Sequence, residues 1–313
     1  LLTDSLPQKA YRRFFRIPFS EGLCVRRYSR YPCPMANRRV YRASNDRCDA
    51  SFSDSGAQFL EWTPAGTEPV LWLSERSLPW ASTPARGGVP ICAPWFGVAT
   101  ASLAAPGSEA QNHGFLRNAT WELVERTDDS AILSFTYAPT TKTEMAKFPH
   151  RFTAQLHATF GEYLHLALTM TNADEEAFYV DEALHPYFNV SDVREISVVG
   201  LDGAEQLCTV TNEHSVQKGD VTFTQGRVDS IFDYTGTVSI LDPGFGRRIV
   251  IEKENSASTI VWNPAEAKAA DMHHEDWKHF VCVEVGNVRQ NAVFLQPGQS
   301  HTISQTITVE KLN

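Results

Sequence analysis

From residue 48 to residue 313 the chain is a succession of short runs in which apolar and polar side chains alternate, each stopped by Gly, Pro, Asn or Asp. Phe152, Ala154, Leu156, Ala158 and Phe160 alternate with Arg151, Thr153, Gln155, His157 and Thr159. In the next run Leu164, Leu166, Leu168 and Met170 fall on one side. A period of two sends successive side chains to opposite faces, the geometry of a strand with one packed face and one wet face. PVLWLSE, AILSFTY, AFYVDEALHPYF, REISVVGL, TVSILDP, RIVIEKEN, STIVWNP, FVCVEVG and HTISQTITVEK are further strand candidates. Convincing helices are scarce. PAEAKAADM (264–272) reads as a short helix or a loop turn, because Pro264 follows Asn263. Many strands with almost no helix predict an all-β fold, a large antiparallel β-sandwich.

No strong linker interrupts this pattern. The expected organisation is one domain over 48–313, preceded by an Arg-rich extension over 1–47. That extension holds Lys9 and ten arginines against Asp4, Glu21, Asp46 and Asp49 through residue 50. These first 50 residues carry a surplus of seven positive charges, and since the whole chain is at −9 the remainder is at −16. Such an arm is compatible with RNA, a membrane, a targeting role or a plain extension. The acidic body argues against nucleic acid as a partner. No run of 18 apolar residues exists, so no membrane span is expected, and no signal-peptide core precedes a cleavage site. Cys24, Cys33, Cys48, Cys92, Cys208 and Cys282 form no Cys-x-x-Cys pair. A reducing, cytoplasmic location without disulfides is expected, and the chain is expected to be a monomer.

One strand carries an anomaly. FVCVEVG (280–286) is apolar on both faces, yet Glu284 sits near its end. A carboxylate is costly to bury unless something pairs with it or uses it. Either Glu284 meets an arginine at the strand end, or it works in a pocket. Its apolar neighbours tend to raise its pKa and favour proton exchange. ARGGVPICAPWFG (85–97), NHGFLRNATWEL (112–123) and DEALHPYFNV (181–190) likewise mix permissive backbone with polar groups in apolar surroundings, as a pocket wall does.

These segments resemble the aldose 1-epimerase superfamily, and most closely its hexose-6-phosphate mutarotase (glucose-6-phosphate 1-epimerase) branch. The resemblance rests on motifs in order: Arg86-Gly87-Gly88 with Pro90, Pro94 and Phe96-Gly97; His113-Gly114 with Arg117-Asn118 and Trp121; Ala183-Leu184-His185 with Tyr187-Phe188; Trp262-Asn263-Pro264; and Cys282-Val283-Glu284. Any one would be weak; the ordered set is specific. The resemblance implies a large twisted β-sandwich with a sugar on a concave sheet face. It implies a cofactor-free exchange of the α and β anomers of a hexose 6-phosphate, with glucose 6-phosphate the expected substrate. It places the acid on His185 and the base on Glu284. Arg86 and Arg117 become phosphate contacts, and Asn112 and Asp229 sugar contacts. His113, before a glycine that lets backbone approach a ligand, is read as a further binding residue.

One departure stands inside the motifs. Pro186 follows His185 where the family usually has a small polar residue or threonine; it removes a backbone donor and stiffens the chain. Two other readings share much of the site. A free-aldose 1-epimerase would need the acid and base but not the arginines, and a non-catalytic sugar-phosphate-binding sandwich would keep the pocket without turnover. A metal is not expected: His273 and His274 are adjacent beside Asp271, Glu275 and Asp276, a poor spacing for zinc. GGVPICAPWFG lacks the lysine and hydroxyl of a P-loop, and no G-x-S-x-G elbow occurs.

Overall fold

A computed structural model describes residues 38–77, 84–104, 111–267 and 270–312. Residues 1–37 of the Arg-rich extension lie outside this set. The first described strand, Val40–Ser44, pairs antiparallel with Cys48–Ser53, so the first sheet already begins ahead of residue 48. Phe59–Pro64 completes that three-stranded sheet.

Two larger antiparallel sheets form the sandwich. A nine-stranded sheet runs through Val221–Thr222, Ser197–Val199, Val238–Asp242, Arg247–Glu254, Ser300–Lys311, Leu164–Asn172, Phe152–Phe160, Ser130–Tyr137 and Glu122–Arg126. Its alternation is the one legible in the sequence. Phe152, Ala154, Leu156, Ala158 and Phe160 are buried, as are Leu164, Leu166, Leu168 and Met170. They pack into one core with Val281, Val283 and Val285 of the facing sheet. Each large apolar side chain buried there contributes roughly 1.5–3 kcal/mol over an exposed one. One polar contact also crosses the sandwich: buried Glu182 accepts from His301 Nδ1 and from Asn287 Nδ2.

The eight-stranded sheet orders Glu213–Val216, Glu205–Cys208, Val228–Asp233, Ser258–Asn263, Phe280–Asn287, Glu182–Leu184 and Ile91–Cys92, with Tyr187–Asn189 also pairing Phe280–Asn287. Phe178–Val180 leaves this sheet and pairs with Val293–Leu295. The run AFYVDEALHPYF, read as one strand, is therefore three short ones. Asp181 turns its N–H to the Pro94 carbonyl, and Pro186 has none to give.

The single α-helix among the described residues, Lys142–Lys147, was not anticipated. Its signal was present, because Thr141 and Glu144 form a reciprocal capping box. None of its residues is buried, so no apolar stripe announced it. The described part of PAEAKAADM is turn, not helix. Cys48, Cys92, Cys208 and Cys282 are free thiols. No helix among the described residues is long and apolar enough to cross a membrane.

Candidate active site

Register decides what the eight-stranded sheet presents outward. Residues directly opposite on antiparallel strands share a face. Tyr187, Cys282, Trp262 and Asp229 stand in one row. Glu284, Ile260 and Ile231 form the adjacent row, and Cys92, Ala183 and Gly286 the next. All lie on the face away from Val281, Val283 and Val285. Cys92, Phe96, Ala183, Ile231, Ile260 and Val288 make a small second apolar cluster on this face.

The same register places the histidine. Leu184 pairs with Val285 and Tyr187 with Cys282, so His185 stands opposite Glu284 and Pro186 opposite Val283. Pro186 cannot donate to the ladder, and the strand breaks there. The His185 N–H donates to the Pro90 carbonyl at 3.0 Å and the Tyr187 N–H to that of Gly88 at 2.8 Å, both in the register of the Ala183–Cys92 pairing on the other side of the strand. Pro186 thus leaves the ladder toward Phe280–Asn287 short of one donor, next to the position where His185 faces Glu284.

His185 Nε2 lies 3.3 Å from Glu284 Oε1. The two residues are 7 % and 1 % exposed. His185 stacks on Tyr187 and meets Trp262 edge-on. Glu284 Oε2 and His185 Nδ1 are buried without a hydrogen-bond partner. Burial drives the Glu284 carboxyl well above the usual carboxylate range, with Asp229 adding to the effect. Burial likewise holds His185 well below the usual imidazole range, helped by His113 and Arg117.

The pair lies in a cavity of about 460 Å³, within the range that holds a small ligand. All seven site residues read from the sequence line it: Arg86, Asn112, His113, Arg117, His185, Asp229 and Glu284. Arg86 donates from Nε to Asp271 at 3.0 Å and from an Nη to the Tyr187 hydroxyl at 3.3 Å. Arg117 donates to the Asn112 carbonyl at 2.7 Å. Asp229 is ion-paired to Arg227. His113 has a left-handed backbone, φ +64°. Its Nδ1 accepts from the Gly97 N–H at 3.3 Å, and its own N–H donates to the Gly97 carbonyl at 2.8 Å. Nδ1 as acceptor leaves Nε2–H as the donor of a neutral ring, and burial with Arg117 and Arg86 nearby pushes its pKa down to about 3.

Sequence reasoning missed Arg227, Arg289, Tyr187 and Phe96 as lining residues. It also missed buried Asp181, whose carboxylate ties two rim segments by accepting from the N–H groups of Phe96 at 2.9 Å and Arg289 at 3.1 Å. Phe96 and Tyr187 stand inside the motifs, but their apolar or aromatic character reads as core; Arg227, Arg289 and Asp181 lie outside every motif. Among the described residues no cluster of three or more metal-ligating side chains occurs; Asp271 is engaged with Arg86 and His274 with Glu275.

The sequence profile of the aldose 1-epimerase family matches residues 39–308. A protein of Escherichia coli (strain K12) named "Putative glucose-6-phosphate 1-epimerase" is 34 % identical over 268 residues, covering 84 % of this chain and 87 % of the relative. A crystal structure of a Salmonella typhimurium protein, described as a "putative mutarotase", superposes with a TM-score of 0.76 at 30 % identity, over 87 % of this chain and 90 % of that one. A galactose mutarotase related enzyme from Lactobacillus acidophilus shares the fold, with a TM-score of 0.71 at 15 % identity over 88 % of this chain and 98 % of that one.

Proposed function

The chain belongs to the aldose 1-epimerase family, a family of isomerases, and from that premise we propose that it exchanges the α and β anomers of a hexose 6-phosphate, glucose 6-phosphate foremost. The observation that carries the proposal is the His185–Glu284 contact of 3.3 Å at the cavity wall. Anomer exchange removes a proton from O1 and delivers one to the ring oxygen O5. Both oxygens are bonded to C1, so acid and base must stand side by side. Glu284 takes the O1 proton as His185 protonates O5, and the C1–O5 bond breaks. The C1–C2 bond rotates by about half a turn, and the two groups reverse roles on reclosure.

The opposed pKa shifts fit this exchange. Glutamate with imidazolium, and glutamic acid with imidazole, hold the same single proton. Burial in the open site favours the neutral arrangement. The working arrangement differs from it only in where that proton sits, so no proton need come from solvent. The neutral His113, with its Nε2–H, suits a sugar oxygen as acceptor. Asp229 suits a hydroxyl as donor. Trp262 and Tyr187 form apolar walls for the C–H face of the ring. Arg86 and Arg117 supply guanidinium forks matched to phosphate oxygens.

Polarimetry or exchange NMR on glucose 6-phosphate tests the reading. The protein at catalytic concentration is expected to accelerate mutarotation, and Glu284→Gln and His185→Asn each to lose about 10²–10⁴ of that acceleration. No acceleration over the spontaneous rate sinks it. If Arg86→Ala leaves activity on the preferred sugar intact, the substrate is a free aldose.

A further inference from the structure

Four arginines line the cavity, and they are not equivalent. Arg86 is paired with Asp271 and Arg227 with Asp229. Among the described residues no carboxylate forms an ion pair with Arg117 or Arg289. Both also have a buried Nε without any hydrogen-bond acceptor. Both side chains are half-buried, and a partly desolvated guanidinium without a counter-charge is suited to an anionic ligand.

Arg289 is held in place with some care. It follows the Phe280–Asn287 strand that bears Glu284 and has a left-handed backbone, φ +56°. For a residue other than glycine this conformation persists only where the surroundings over-determine it. Its N–H is fixed by Asp181 Oδ1 at 3.1 Å, while Asp181 Oδ2 fixes the Phe96 N–H at 2.9 Å. Asp181 is fully buried. The Arg289 guanidinium then packs over Gly97, where an added Cβ would sit 3.9 Å from one of its nitrogens. Gly97 is paired through its backbone to His113, and the neighbouring Asn112 carbonyl anchors Arg117. The two uncompensated guanidiniums therefore approach the same Gly97–His113 segment from different elements.

We propose that Arg289 is a third phosphate-binding arginine, completing with Arg117 the site for a dianionic phosphate, and that Asp181 is the residue that positions it. The inference rests on the hexose-phosphate reading above. Arg86 is neutralised by Asp271 and contributes hydrogen bonds more than net charge. Arg117 and Arg289 together supply two positive charges for two negative ones. Arg289 lines the same cavity as Glu284, from two residues beyond the end of the strand that bears it.

The test uses the full chain with inorganic phosphate and glucose 6-phosphate in calorimetry, and exchange NMR for turnover on glucose 6-phosphate and glucose. Arg289→Ala is expected to weaken phosphate binding about tenfold or more. It should lower the ratio of kcat/KM for glucose 6-phosphate to kcat/KM for glucose by a similar factor, with Arg289→Lys recovering part of both. Asp181→Asn should lower the same ratio, whereas a merely structural defect would depress both substrates alike. Phosphate affinity and substrate ratio within twofold of the unsubstituted protein in Arg289→Ala would overturn the proposal. An unsubstituted protein that neither binds phosphate nor turns over sugar phosphate would overturn this inference and the functional reading together. Binding without turnover, lost in Arg289→Ala, would support Arg289 and refute only the catalytic reading.

Discussion

Glu284, the proposed base, is the residue at which folding and the proposed reactivity oppose each other. Burial raises its pKa well above the usual carboxylate range. A carboxyl that holds its proton more tightly when folded adds stability below its unfolded pKa of about 4.3. That contribution is lost as pH rises through the folded value. Glu284→Gln removes the loss. The variant is therefore expected to melt higher than the parent at pH 8, by about 2–4 °C for each kcal/mol regained, and the gain should shrink toward pH 4. Calorimetric melting of both proteins across that range checks it. A gain that grows toward acid would mean that Glu284 is an ion-paired carboxylate in the empty site. The residue was legible as an anomaly in FVCVEVG before any partner was known. His185 and the other five residues were legible through motifs. Arg289 and Asp181 were not, because what matters there is a left-handed turn and the destination of two backbone N–H groups, and neither leaves a periodic trace.

Among elements, the long strands were readable and the short ones were not. Phe152–Phe160 and Leu164–Asn172 keep strict alternation over nine residues each, so their buried faces follow directly from the pattern. Ile91–Cys92 and Glu182–Leu184 are wholly buried and two or three residues long, too short to show any period. The hairpin strand Glu213–Val216 is exposed throughout, so no apolar face announces it. The segment carrying His113 and Arg117 depends instead on one glycine. Gly114 has φ +65°, and a Cβ there would stand 1.9 Å from the Ala93 carbonyl oxygen. Gly114→Ala therefore combines backbone strain with a clash against main chain. It is expected to cost more than about 1 kcal/mol in denaturant unfolding and to lower kcat/KM, because His113 and Arg117 move with it. Unchanged stability and activity would show that this approach does not fix the segment.

For the whole molecule, net charge and local charge point in opposite directions. Residues beyond the first 50 sum to −16, yet the cavity is lined by Arg86, Arg117, Arg227 and Arg289 against Asp229 and Glu284. On the hexose-phosphate reading proposed above, a dianionic substrate approaches a repelling body and must find an attracting mouth. Charges at the mouth are screened by salt, since the Debye length falls from about 10 Å at 0.1 M to about 3 Å at 1 M. KM for glucose 6-phosphate is expected to rise several-fold over that range while KM for uncharged glucose stays nearly constant. Steady-state exchange NMR at several salt concentrations reads both, and parallel changes for the two sugars would refute electrostatic recognition. The sandwich itself leaves a different kind of mark. Along Phe280–Asn287 one face fills the interior with valines while the other presents Glu284 to the cavity, beside Trp262 and Asp229 of the neighbouring strands. Heritable change on the cavity-facing side of the sheet, at Tyr187, Trp262 or Asp229, can therefore act on the ligand while the valines keep the protein folded. Chemistry and durability share a backbone here but answer to separate mutations, and a lineage built on this sheet is free to explore one without gambling the other.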